Sequence, residues 1–192
     1  MKLTHIGHAC FLIEGEEQSF VIDPYESSIG IEMPWLTADY LLISHEHYDH
    51  NNRAAVEAKY PNEAPPNVKI VDSFHDDQGG ALRGANKIHI IDVDGQKVCH
   101  LGDLGHTLTD EKVAQIDKVD TLLVPVGGTY TIDAHGAITV CKQLKPKIII
   151  PMHYKTPGVN LDIAPVDEFA QLAKENNLPV TILDPGGLLT QN

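Results

Sequence analysis

The chain has three cysteines, at positions 10, 99 and 141, and no two of them stand in Cys-x-x-Cys spacing. An odd, scattered set of thiols excludes a disulfide framework and points to reduced, buried side chains, hence to a cytoplasmic location. Basic residues are scarce as well: 14 Lys and Arg face 27 Asp and Glu, a net charge of -13. A bulk nucleic-acid binder needs cations to neutralise phosphates, so nucleic acid is not the expected partner. Residues Met1-Lys2-Leu3-Thr4-His5 lack the basic-then-apolar pattern of a signal peptide, and no apolar run approaches a membrane span. No membrane association is expected. No Ser/Gly linker, composition shift or charge run divides the 192 residues, so one domain spanning 1–192 is expected. The composition leaves the oligomeric state open and is compatible with a homo-oligomer.

What the chain does have is histidine, 11 in all, and the run His45-Glu46-His47-Tyr48-Asp49-His50 holds three of them beside a carboxylate. The run follows the apolar residues 40–43, so a strand end can present His45 and His47 on one face, because side chains at i and i+2 share a side. Asp49 and His50 then fall at the turn into residues 51–60, which read as a helix closed by Pro61. One loop can thus serve two neighbouring metal ions. A mixed imidazole and carboxylate set suits Zn, with Mn or Fe as alternatives, better than Ca or Mg.

Runs 9–13 and 20–22, separated by a turn around Gly15, read as a β-hairpin. Further strands are expected at 68–71, 88–93 and 97–101, the last two joined by Asp94-Gly95. Helical patterns cover 109–118, 134–144 and 165–176, with apolar runs at 121–124, 147–150 and 180–183. Strands dominate the first half, and strand–helix alternation the second. A sandwich of sheets flanked by helices fits that order better than a doubly wound parallel sheet.

A closed two-metal site needs donors beyond residues 45–50, and three lie just past β runs: His75, Asp103 and His153. With these, the chain resembles the metallo-β-lactamase superfamily of metallohydrolases, whose HxHxDH signature matches His45, His47, Asp49 and His50. The later ligands of that family, His, Asp and His in chain order, match His75, Asp103 and His153. The stretches around Gly7-His8-Ala9, Asp23-Pro24, Gly102-Asp103 and Met152-His153 resemble a compact branch related to the ascorbate-6-phosphate lactonases. The resemblance implies an α+β fold, a four-layer αββα sandwich with metals at one edge of the two sheets. It further implies His45, His47 and His75 on a first metal, Asp49, His50 and His153 on a second, and Asp103 bridging both.

The implied activity is metal-dependent hydrolysis of a small ester, lactone or phosphate-bearing metabolite by a hydroxide activated between two divalent ions, with Asp49 as the catalytic residue. Competing functions are a di-iron redox protein on the same scaffold, a nuclease, and a non-catalytic metal-binding protein. The family's di-iron members carry Glu where this chain has His47, which counts against the first.

Other residues are weighed singly. His8 and His106 sit in Gly-flanked turns that can face the site, and Asp23 can accept the free ring N–H of a ligand histidine or merely start a turn. Arg83 can clamp an anion, and Tyr130 can meet the substrate, although an arginine is more often solvated and residues 125–131 also read as a plain β-to-α loop. Met33 and Trp35, within 26–37, are candidates for an apolar lip, with core packing as the alternative for Trp35. His5, His89 and His135 read as packing or surface residues, and His100 as structural.

Overall fold

The alternating runs at the N-terminus fold as the hairpin expected of them, and the rest of the chain builds two sheets on that pattern. The computed structural model describes residues 1–61 and 63–191. Its strands are β1 (Lys2–Gly7), β2 (Cys10–Glu14), β3 (Ser19–Ile22), β4 (Leu36–Ala38), β5 (Tyr40–Leu42), β6 (Val56–Ala58), β7 (Val68–Phe74), β8 (Ala85–Val93), β9 (Gln96–His100), β10 (Thr121–Pro125), β11 (Ile148–Met152) and β12 (Leu188–Thr190). The helices are α1 (Asp110–Ile116), α2 (Ala134–Leu144) and α3 (Asp167–Glu175).

The first sheet runs β12-β1-β2-β3-β5 and the second β11-β10-β9-β8-β7; both mix parallel and antiparallel pairs. Leu3, Phe11, Ile13 and Phe20 of the first sheet pack against Ile91, Val98, Leu123 and Ile150 of the second. Each such side chain contributes about 1.5–3 kcal/mol on burial, which makes this inter-sheet layer a principal source of stability. β10 is buried at every position because its other face meets the helices, where Leu122 and Val124 join Ile116, Ile138 and Phe169. Thr109 and Asp133 cap α1 and α2, each side chain accepting a backbone N–H.

The outer face of the first sheet, with Cys10 and Val21, is covered by Tyr25, Ile29, Val56 and Leu161. That fourth layer is made of loops, short 3₁₀ turns and the small parallel ribbon β4-β6, while the three α-helices all contribute to the cluster on the second sheet. Trp35 is 66% exposed and so is not a core residue. Among the described residues no helix is long and apolar enough to cross a membrane.

Two expected elements differ. Residues 51–60 form a 3₁₀ turn at Arg53–Ala55 followed by β6, not a helix. Val56 is buried in the outer layer, and Lys59 and Tyr60 donate to the carbonyls of Ala38 and Asp39, so long-range pairing overrides a favourable local helix propensity. Residues 180–183 make only a bridge, Ile149 to Val180. The chain there crosses from the β11 edge of the second sheet to the β1 edge of the first, where β12 pairs, and cannot stay in one ladder.

Candidate metal centre

Within each sheet the strands that lead into the site point the same way. β1, β3 and β5 are mutually parallel through the antiparallel β2, as are β7, β9, β10 and β11 through β8. His8 follows β1, Asp23 follows β3, residues 45–50 follow β5, His75 follows β7, Asp103 follows β9 and His153 follows β11. Three of these residues turn off their strands in the left-handed region: His8 at φ 52°, Asp23 at 50° and His153 at 52°. That conformation costs about 1 kcal/mol or more for a residue with a side chain, and surrounding packing must hold it.

The side chains meet in overlapping groups. Ligand atoms of His45, His47 and His75 lie within 4.8 Å of one another, as do those of His8, Asp49, His50 and His153, and those of His45, His50 and Asp103. The carboxylate of Asp103 is 2.9 Å from His75 Nε2, 3.1 Å from His50 Nε2, 3.2 Å from His153 Nε2 and 3.8 Å from His45 Nε2. It therefore faces both histidine sets at once. Every residue of the expected ligand set is brought to this cluster, and His8 joins it with Nε2 at 3.3 Å from Asp49 Oδ2 and its ring 4.1 Å from that of His153.

A ring of hydrogen bonds fixes the rotamers from behind. Asp23 accepts from Ser44 N at 2.7 Å, from Ser44 Oγ at 2.6 Å and from His50 Nδ1 at 2.9 Å. Burial pushes the Asp23 carboxyl up, but the bond from His50 and the surrounding imidazoles prevail and hold it at about 2. Asn86 accepts the Asp103 backbone N–H and donates to Ser73 Oγ and the Leu101 carbonyl. Gly102 and Gly105 bracket Asp103 because nothing larger fits: a Cβ on Gly105 would sit 2.3 Å from the Asp76 nitrogen, and one on Gly102 2.3 Å from Asn86 Oδ1.

The electrostatics are those of a site built for cations. Burial, then the neighbouring His50, lowers His45 to about 3, and burial, then His153, lowers His8 to about 4. Burial opposes charge on His50 too, yet Asp103, Asp23 and Asp49 raise it well above the ordinary value; Asp103 is held well below its own by His153 and His50 despite its burial. His45 Nε2, His50 Nε2, His153 Nε2 and Asp103 Oδ1 are buried without a hydrogen-bond partner. Convergent orphaned imidazole nitrogens and a carboxylate oxygen fit divalent metal ions, which would satisfy all of them.

A cleft of about 580 Å³ opens over the cluster, bordered by Glu46, His47, Tyr48, Asp49, His75, Arg83, Asp103, Tyr130 and Leu161. Arg83 and Tyr130, the candidates for substrate contact, both border it. His106 does not: Nδ1 turns to the neighbouring Thr107 carbonyl at 2.8 Å, its ring lies near Phe74, and it borders neither the cluster nor the cleft. Met33 and Trp35 do not line the cleft either. His100 is structural, donating from Nε2 to the Ala9 carbonyl and accepting Gly102 N at Nδ1. His5 and His89 are buried packing residues, and His135 is a surface residue near Glu168. Ser44, Asn86 and Asp76 were not read from the sequence; only Ser44, adjacent to His45, carried a positional hint.

A family model described as the beta-lactamase superfamily domain matches residues 2–153, a span that begins before His8 and ends on His153. A UPF0173 metal-dependent hydrolase from Archaeoglobus fulgidus is 32% identical, over 97% of this chain and 97% of the relative. Another, from Carboxydothermus hydrogenoformans, is 30% identical over 98% of this chain and 99% of its own length. A crystal structure from Thermotoga maritima, assigned to the Zn-dependent hydrolases of the metallo-beta-lactamase superfamily, is 39% identical with a TM-score of 0.67, covering 89% of this chain and 84% of that one.

Proposed function

The chain belongs to the beta-lactamase superfamily as a UPF0173 metal-dependent hydrolase of metallo-beta-lactamase fold, and from that premise we propose that it cleaves a small ester, lactone or phosphate-bearing metabolite at a two-metal site. The observation that carries the reading is Asp103, whose carboxylate lies within 3.2 Å of His75, His50 and His153. In this reading His45, His47 and His75 would hold one ion and Asp49, His50 and His153 the other, with Asp103 placed to serve both sets. Zinc suits the imidazole-rich donors best, with Mn or Fe as alternatives. We take the molecule to act as one domain over 1–192 in the cytoplasm, a location supported by its three buried free cysteines.

Divalent ions held there would supply Lewis acidity toward the scissile carbonyl or phosphoryl oxygen and a water acidified toward a pKa of about 7. The protein's own groups do the rest. Asp49 is kept ionised: burial raises its carboxyl, but the charges of His50 and the bond from His8 lower it further. Its Oδ2 faces His8, His50 and His153, which leaves Oδ1 to orient the attacking water and take its proton. Asp23, acting through His50 and Ser44, prevents the site from rearranging. Tyr48, Tyr130 and Leu161 wall the cleft with apolar surface that suits a small molecule, and the net charge of -13 disfavours a nucleic-acid substrate.

The test is elemental analysis of purified protein combined with a panel of esters, lactones, including sugar-acid lactones of the ascorbate type, and phosphate esters. Stripping with a chelator should abolish turnover of at least one class, and zinc should restore it. A protein that holds two metal equivalents and turns over no member of the panel would sink the substrate assignment.

A further inference from the structure

The chain has two arginines, and they are used differently. Arg53 is engaged by Glu46 through two bonds of 2.8 and 2.7 Å. Arg83 has no carboxylate within ion-pair distance among the described residues; its Nη2 donates to the carbonyl of Thr129 at 3.0 Å, and its guanidinium lies 5.9 Å from the Tyr130 ring centroid. In a chain with 27 acids for 14 bases, an arginine that borders a cleft and meets only neutral groups is the less expected arrangement.

Its position is built. Asp76 accepts the backbone N–H groups of Gln78, Gly80, Leu82 and Arg83 at 2.8–2.9 Å, so one carboxylate shapes the loop that carries the arginine. The bond to Thr129 then ties the guanidinium across to the loop that follows β10. One donor of the planar fork is used there, and a guanidinium has five. The cleft bordered by Arg83 is also lined by His47, His75 and Asp103, and a second hollow of about 350 Å³, which shares Glu46, His47 and Arg83 with it, is lined by Lys87 as well. Glu46, the acid common to both spaces, is already held by Arg53 and Asn51.

We propose that Arg83 forms a subsite for an anionic oxygen group of the substrate, a carboxylate or phosphate lying apart from the bond that is cleaved. The inference rests on the metal-site reading above and adds the charge of the substrate to it. A planar fork with open donors in a half-buried position binds such a group in bidentate fashion and holds the scissile bond over Asp49 and Asp103. The competing account is that Arg83 only clasps two loops together.

Paired probes separate the two accounts. 4-Nitrophenyl hydrogen glutarate and 4-nitrophenyl pentanoate differ in their acyl chains only by a terminal carboxylate. The wild-type ratio of kcat/KM should favour the glutarate ester by roughly tenfold or more, fall to near one in Arg83→Gln, and be partly kept in Arg83→Lys. Calorimetry on zinc-loaded protein gives a readout free of turnover: glutarate or 4-phosphonobutyrate should bind roughly tenfold tighter than butyrate, and Arg83→Gln should erase the difference. Equal ratios in the wild type overturn the proposal. So does an undiminished preference in Arg83→Gln, including the case in which that variant melts earlier and loses both esters equally. If neither ester is hydrolysed but the calorimetric preference is present and lost in Arg83→Gln, the anion subsite stands and the ester reading falls.

Discussion

The carboxylate of Asp23 accepts the Nδ1 hydrogen of His50 at 2.9 Å, and its same oxygen accepts the hydroxyl of Ser44 at 2.6 Å. Because the Ser44 hydrogen is committed to Asp23, the 2.9 Å contact between Ser44 Oγ and His45 Nδ1 makes the imidazole the donor. Both rings therefore carry a hydrogen on Nδ1 and turn Nε2 toward Asp103. One carboxylate sets the tautomer of a histidine in each half of the site.

Replacing Asp23 by Ala should weaken metal binding at both positions, by roughly 10- to 100-fold, since His50 loses its partner and Ser44, released from Asp23, is free to donate to His45 Nδ1 instead of accepting from it. Asp23→Asn should recover part of the loss, because a carbonyl oxygen still accepts one of the bonds. Competition with a chromophoric chelator measures this directly. Affinity unchanged in Asp23→Ala would show that the rings are oriented by packing alone.

Asp49→Ala and Asp103→Ala should both abolish metal-dependent hydrolysis while leaving a folded protein, but they should differ in metal content. Asp103 faces four imidazole nitrogens, so its loss should lower the metal stoichiometry; Asp49 faces one set, so its variant should keep the ion held by His45, His47 and His75. Activity should fall by at least about a hundredfold in each. Near-full turnover by either variant contradicts the assigned roles.

Gly105→Ala tests the scaffold without altering the side chain of a candidate ligand. The added Cβ would meet the backbone of His75 and Asp76 at 2.3–2.5 Å, and backbone cannot swing aside as a side chain can. Overpacking of this kind costs about 1–3 kcal/mol and should separate Asp103 from His75, lowering both the melting temperature and metal affinity. A variant that melts and binds like the wild type would mean the loop yields freely.

The candidate donors that converge were legible because metal chemistry restricts both residue type and place: His75, Asp103 and His153 each follow an apolar run, and strand ends are where a sheet presents a rigid side chain. The supporting shell was not. Asn86 acts on Asp103 and Leu101 from 17 and 15 residues away, through atoms that any buried asparagine has, so nothing local marks it. His8 and His106 looked alike, each beside glycine, and only the strand that feeds His8 into the site edge tells them apart. Residues 51–60 misled because an alanine-rich stretch favours a helix locally, whereas burial of Val56 and pairing of β6 with β4 decide the outcome.

Stability should also depend on a histidine outside the metal set. His89 lies on β8, paired with Ile70 on one side and His100 on the other, and is 2% exposed. Burial lowers it from 6.5 to about 4; Asp23 pulls the other way, while His100 and Lys87 add to the lowering. Below pH 6.5 the unfolded chain takes up a proton that the folded one refuses until about pH 4. The folded state thus loses stability as pH falls through that window and recovers it above. The full effect is about 3 kcal/mol for this residue. His89→Leu, which fills the site with a neutral side chain, should flatten the decline by most of that amount, about 2 kcal/mol between pH 7 and pH 4.5. Denaturant melts of both proteins at pH 7 and pH 4.5 give the difference, and parallel pH profiles would mean that His89 is protonated in the folded protein as readily as in the unfolded chain.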